Sequence, residues 1–158
     1  GVKHFVALNR TIPKTTNDWE LVEFVAYGST EKIVAMNMNE RKVLLNDYQD
    51  IYGKLPQDEF DWLDLAKIAE GETPKRVLNR EVKALNEFVH LFGRLVDFSD
   101  QNDEKFIHQS AYGLREYSRD LEKEKAALGT FVNVYNHLPG SAWGWTILRA
   151  IAYSGVVK

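Results

Sequence analysis

Trp19-Glu20-Leu21-Val22-Glu23-Phe24-Val25-Ala26-Tyr27-Gly28-Ser29-Thr30-Glu31-Lys32-Ile33-Val34-Ala35-Met36-Asn37-Met38 decides whether this chain contains a sheet. Val22, Phe24, Val25, Tyr27, Ile33 and Val34 favour strands, and Gly28-Ser29-Thr30 has the length and composition of a hairpin connection. A helix competes: Asn17-Asp18 supply an opening, and Gly28 stands just past the end. Apolar runs this short leave the period ambiguous. The hairpin is the preferred expectation. It makes the fold α+β, predominantly α-helical, with a small N-terminal antiparallel sheet packed on a bundle of four to five helices. If 19–38 is helical instead, the protein is all-α.

On the N-terminal side, Val2–Leu8 is a short apolar run that suits a strand, and residues 10–18 have the composition of a loop. The chain therefore reads as one domain, 1–158, with a strand-rich part (1–38) and a helical part (39–154). Asn39 caps a helix ending before Gly53, with Val43, Leu44, Tyr48 and Ile51 on one stripe. Asp58, Glu59 and Asp61 open a second, whose apolar face holds Phe60, Trp62, Leu63, Leu65, Ala66 and Ile68. Thr73-Pro74 starts a third. Its seam, Leu78, Val82, Leu85, Val89, Phe92 and Val96, alternates steps of four and three, as in a bundle face or short coiled coil. A fourth helical region over 104–137 carries Ile107, Ala111, Leu114, Tyr117, Leu121, Leu128, Val132 and Tyr135, with a kink expected near Gly129. Pro139-Gly140 ends it, and Ser141 caps a last helix, Ala142–Ser154. No internal repeat, low-complexity run or dividing linker is expected.

Composition bounds the chemistry. The 158 residues are 44% hydrophobic and 27% charged, the mix of an ordinary globular chain. With no cysteine, disulfides, thiolate metal sites and cysteine nucleophiles are excluded, and a reducing cytoplasm is the simplest location. The net charge of −3 gives no global attraction to nucleic acid, so any such binding needs a local basic patch. No apolar run is long enough to span a bilayer, and no membrane role is expected.

Residues 62–83 resemble a helix-turn-helix, in which the second helix would present Lys75, Arg76, Asn79, Arg80 and Lys83. Arg76, Arg80 and Lys83 share a face. Cations in a first turn oppose the helix dipole, so an anionic partner would relieve them. Against that, the spacing from Ala66 to Gly71 is one residue longer than the motif's, and Glu70 and Glu72 stand beside the patch. Glu87-x-x-His90, together with Glu104 and His108, is a possible metal-ligand set, but it lacks the second Glu-x-x-His pair that a di-iron bundle needs. Glu116, Asp120, Glu122 and Glu124 form an acid cluster of the kind that binds Mg²⁺ with a substrate phosphate, but Arg115, Arg119, Lys123 and Lys125 interleave with it as helix-surface ion pairs would. The last helix carries Trp143, Trp145, Ile147, Leu148, Ile151 and Tyr153. A helix so apolar all round is either buried in its own domain or bound to a partner.

The resulting expectation is a non-catalytic binding or regulatory protein with no cofactor. It would act through helical surfaces on a protein partner or an anionic surface, and the heptad-like seams suit self-association. The alternatives are DNA binding through 62–83, with nucleic acid held by 75–83, and a divalent-metal hydrolase built on Glu87, His90, Glu104 and His108.

Overall fold

The computed structural model describes residues 1–116 and 118–157, the side chain of Leu8 excepted. Among these residues there is no strand, and nine helices follow one another: α1 (Val2–Asn9), α2 (Thr16–Tyr27), α3 (Glu31–Ala35), α4 (Met38–Tyr52), α5 (Glu59–Glu70), α6 (Leu78–Phe92), α7 (Gln101–Tyr112), α8 (Leu121–Tyr135) and α9 (Ala142–Tyr153). The expected α+β class is therefore wrong and the all-α alternative fits. Val2–Leu8 is helical, and 19–38 holds α2 and α3 rather than a hairpin.

The reason is visible locally. Thr15 and Asp18 form a reciprocal capping box at the start of α2, and the Gly28 N–H bonds the Phe24 carbonyl at its end. Leu21, Val22, Phe24 and Val25 then fall on one helical face and are all buried. The caps and the packed face outweigh the strand preference of single valines, which is a weak prior. Gly28 sits at φ 78, where a Cβ would meet the Val34 nitrogen at 2.9 Å. The turn into α3 needs a residue with no side chain there.

The chain divides into two compact units, Gly1–Lys75 and Arg76–Lys158. In the first, α1 packs on α2, α2 on α4, α4 on α5 and α3 on α5. Arg41 of α4 lies buried, with its guanidinium donating to the carbonyls of Val25, Ile33, Val34 and Met36. One side chain thus serves carbonyls at the ends of two helices, where the intrahelical donors run out. In the second unit, α6 packs on α7, α7 on α9 and α8 on α9.

Both units use the same hairpin. The helices pair as α1–α2, α4–α5, α6–α7 and α8–α9. In the last three pairs the first helix has 15 residues, and in all four the second has 12. Every first helix ends on a left-handed residue: Arg10, Gly53, Gly93 and Asn136. Every second helix opens on a side-chain cap: Thr15, Asp58, Asp100 and Ser141.

The buried positions keep register. Arg41, Leu44, Tyr48 and Ile51 of α4 correspond to Glu81, Ala84, Phe88 and Leu91 of α6, and Ala127 and Phe131 of α8 continue the series. Ion pairs repeat as well. Lys54–Asp61 (2.6 Å) and Arg94–Asp103 (2.5 Å) each join the residue after the left-handed glycine to the third residue of the next helix. In sequence, Leu45–Leu55, Leu85–Leu95 and Leu128–Leu138 are variants of one segment, as are Ala26-Tyr27-Gly28, Ala111-Tyr112-Gly113 and Ala152-Tyr153-Ser154. The period is about 40 residues, within the range of helical-repeat proteins. The expectation of no internal repeat is corrected accordingly.

Other sequence expectations also shift. The first long helix is capped by Asn37, not Asn39, although it does end at Gly53. On it Val43 is exposed, while Leu44, Tyr48 and Ile51 are buried as expected. Of the face assigned to α5, Leu65 and Ile68 are buried but Phe60 and Leu63 point to solvent. The single helix over 104–137 is two, α7 and α8, because Gly113 takes the left-handed conformation that ends α7. Gly129 sits inside α8 and does not end it. Tyr117 of that seam lies outside the described residues.

Candidate binding surfaces

The basic face straddles the start of a helix: Lys75 and Arg76 precede α6, while Asn79, Arg80 and Lys83 lie in its first two turns. Thr73 and Pro74 precede α6, which starts at Leu78, and residues 71–77 separate it from α5. This is far longer than the three-to-four-residue turn of a helix-turn-helix. Lys75 and Arg76 stand before the first turn, so the dipole argument for an anionic partner is left to Arg80 and, more weakly, Lys83. Lys75 is held by its backbone: its N–H donates to Asp64 and its carbonyl accepts from Tyr52.

Arg76 is matched within the chain. Its guanidinium forks onto the Glu81 carboxylate at 3.0 and 2.5 Å. The Tyr112 hydroxyl donates to the same carboxylate at 2.6 Å and accepts from the Val77 N–H at 3.0 Å. Arg76 holds the nearly buried Glu81 carboxyl below its ordinary range. Burial, helped by Glu81, pushes the Tyr112 phenol up to about 12. Arg80 donates to the Ala111 carbonyl at 2.7 Å, and its guanidinium lies 5.5 Å from the Trp143 ring. The Lys83 ammonium sits 3.9 Å from the same ring centre. Asn79 is exposed. The cations singled out by sequence are thus largely internal fastenings.

The same fastening recurs one hairpin later. Arg119 pairs with Glu124 at 2.5 Å, and the Tyr153 hydroxyl donates to Glu124 at 2.5 Å and accepts from the Asp120 N–H at 3.1 Å. Arg119, with Tyr153, holds Glu124 down to about 2. This accounts for part of the acid cluster. Asp120 caps α8, and Glu116 lies 3.8 Å from Lys105.

The metal candidates are not assembled. Among the described residues no group of three or more His, Asp or Glu is placed to hold an ion. Glu87 accepts from the Tyr135 hydroxyl and, at 3.1 Å, from the Trp143 indole N–H. It therefore joins the third hairpin to the fourth. His90 is exposed with its ring 5.4 Å from Tyr135, Glu104 is exposed, and the His108 ring lies 6.4 Å from Tyr112.

The C-terminal helix is mostly interior. Ile147 and Leu148 are buried against its neighbours, Trp143, Ile151 and Tyr153 are half-buried, and Trp145 remains 52% exposed. The α6 seam proves to be largely surface, because α6 buries Glu81, Ala84, Phe88 and Leu91 instead. Leu78, Val82 and Val89 are exposed, while Leu85, Phe92 and Val96 are half-buried. Heptad counting missed this because it ranks a glutamate as outward-facing, whereas Glu81 is buried with two partners.

Sequence reasoning also missed a set of wet apolar residues at matching places in different hairpins. The first residue of α4, α6 and α8 is Met38, Leu78 and Leu121, exposed at 44%, 71% and 69%. The fourth residue of α2, α5 and α9 is Trp19, Trp62 and Trp145; Trp19, 49% exposed, and Trp145 belong to this wet set, whereas Trp62 is half-buried. An alignment of the chain against itself would have found them. No helix among the described residues is long and apolar enough to cross a membrane. Comparison of the chain with protein-family models, curated proteins and solved structures finds no match.

Proposed function

We propose that this chain is a non-catalytic binding protein, a tandem set of helical hairpins that offers matching side chains to a protein partner. The observation that supports this reading is the return of a large apolar residue to the same exposed place: Met38, Leu78 and Leu121 at helix starts. A fold's interior sets which residues are buried; it places no demand on positions that stay in water. Large apolar side chains kept at wet positions mark contact surfaces, and stacked helical repeats typically work by presenting such surfaces.

The test is capture from cell lysate with the parent protein and with a Leu78→Ser/Leu121→Ser variant, each with and without nuclease. A protein retained by the parent, lost by the variant and indifferent to nuclease supports the reading. Equal capture by both forms, or capture that nuclease abolishes, contradicts it.

A further inference from the structure

The hairpins allow like to be compared with like. In the second hairpin, α4 lies against α2 of the first; Leu45 on α4 is fully buried, and the Trp62 ring of α5 stands 5.2 Å from the Phe24 ring of α2. The residues at the same places in the first hairpin are Val2 on α1 and Trp19 on α2. Val2 is 41% exposed and Trp19 49%. Val6, one turn along α1 from Val2, is exposed as well. Val2 and Trp19 thus stand uncovered where their counterparts are covered, Leu45 by burial and Trp62 by the Phe24 ring, and Val6 extends this apolar surface although its counterpart on α4, Gln49, is exposed.

We infer that Val2, Val6 and Trp19 form a docking surface for an amphipathic helix of the same character as α2, bearing an aromatic side chain that lies on the Trp19 indole. The inference rests on the repeat reading above and extends it from a class of function to one site and one kind of partner. The contact between the first and second hairpins defines the occupant, because the same interface continued by one more helix would cover this face. An indole half in water loses little on being covered and gains a stacked ring, which makes such a residue an anchor. Trp145 holds the matching place in the fourth hairpin and is equally exposed. There, however, the neighbouring hairpin is already engaged, through Glu87 with Tyr135 and Trp143. Trp145 therefore serves as an internal control of the same residue type and exposure.

The probe is a stapled peptide of residues 15–28, the sequence of α2 itself; the staple removes the cost of forming a short isolated helix. It is titrated into the full ¹⁵N-labelled chain, with the indole N–H signals assigned by Trp19→Phe and Trp145→Phe. The expected result is a saturable shift of the Trp19 indole with Trp145 unmoved. A peptide carrying Phe24→Ala should bind roughly tenfold more weakly, the worth of an aromatic pair with its buried area. No shift of Trp19 up to about 1 mM peptide, where even weak association would register, overturns the proposal. Equal shifts of both indoles overturn it as well. Neither outcome touches Leu78 or Leu121, so failure here is distinct from failure of the general reading.

Discussion

Replacing Tyr112 with Phe removes one oxygen that performs two tasks. It donates to the Glu81 carboxylate at 2.6 Å and accepts from the Val77 N–H, at the residue that caps α6. Hydrogen bonds to charged groups contribute about 1.5–3 kcal/mol, and a donor stranded without water costs about 1–3 kcal/mol. Tyr112 is fully buried, so water cannot easily take the place of the hydroxyl. The expected loss is about 2–3 kcal/mol, or roughly 5–10 °C in Tm for a chain of this size. Tyr153→Phe removes the matching contacts to Glu124 and the Asp120 N–H. Tyr153 is only half-buried, and about 1 kcal/mol is expected because water reaches the site. Differential scanning calorimetry gives the totals, and native-state amide exchange locates them. The Val77 amide should lose protection in Tyr112→Phe alone, and the Asp120 amide in Tyr153→Phe alone. If Tyr112→Phe stays within about 0.5 kcal/mol of the parent, the scale of a neutral surface change, the reasoning about these fastenings is refuted.

Arg41→Met removes hydrogen bonds to four carbonyls in the first unit, of which, among the described residues, only that of Ile33 keeps another donor, the Met36 N–H, and should lower stability by about 3 kcal/mol or more; Arg41→Lys recovers only part of that, since an ammonium lacks the planar fork. Urea unfolding of both variants checks the order. Gly28→Ala meets backbone at 2.9 Å in a left-handed turn and should cost about 1–3 kcal/mol, whereas a null effect in the same assay would mean that the turn relaxes freely. For pH, Arg76, Arg94 and Arg119 hold Glu81, Asp103 and Glu124 below their unfolded values. Their stabilisation is complete above the ordinary carboxylate range and is lost as pH falls from there toward about 2, the value for Glu124. Glu124→Gln should make the decline of Tm over that window shallower. Tyr112 carries the opposite sign: its stabilisation is present below pH 10 and fades as pH rises toward about 12, which absorbance of tyrosinate at alkaline pH can follow.

Some of the architecture was legible in the sequence because it is written in local chemistry. Gly53 and Ser141 end and begin helices where the residue types say they should. The segment 19–38 was misread because strand preference was counted at Val22, Val25 and Val34, while the Thr15–Asp18 capping box just upstream was not weighed. The repeat was hidden for a different reason. Equivalent residues change type, as in Arg41, Glu81 and Glu124, and the longer connection between Gly93 and Asp100 shifts the register partway through a hairpin. The basic patch was visible as residues but not as contacts. Arg76 stands close in sequence to Glu81, yet Tyr112 and Trp143, which complete the arrangement, come from distant helices.

The central claim, one helical hairpin used again and again, is tested most directly by backbone ¹³Cα chemical shifts along the chain. The account predicts helical shifts over 16–27, 38–52, 59–70, 78–92, 101–112, 121–135 and 142–153, with breaks at 53–58, 93–100 and 136–141 that keep the long-then-short order of helices. Strand-like shifts over 19–27 and 31–38, or a helix running unbroken from 104 to 137, would contradict it.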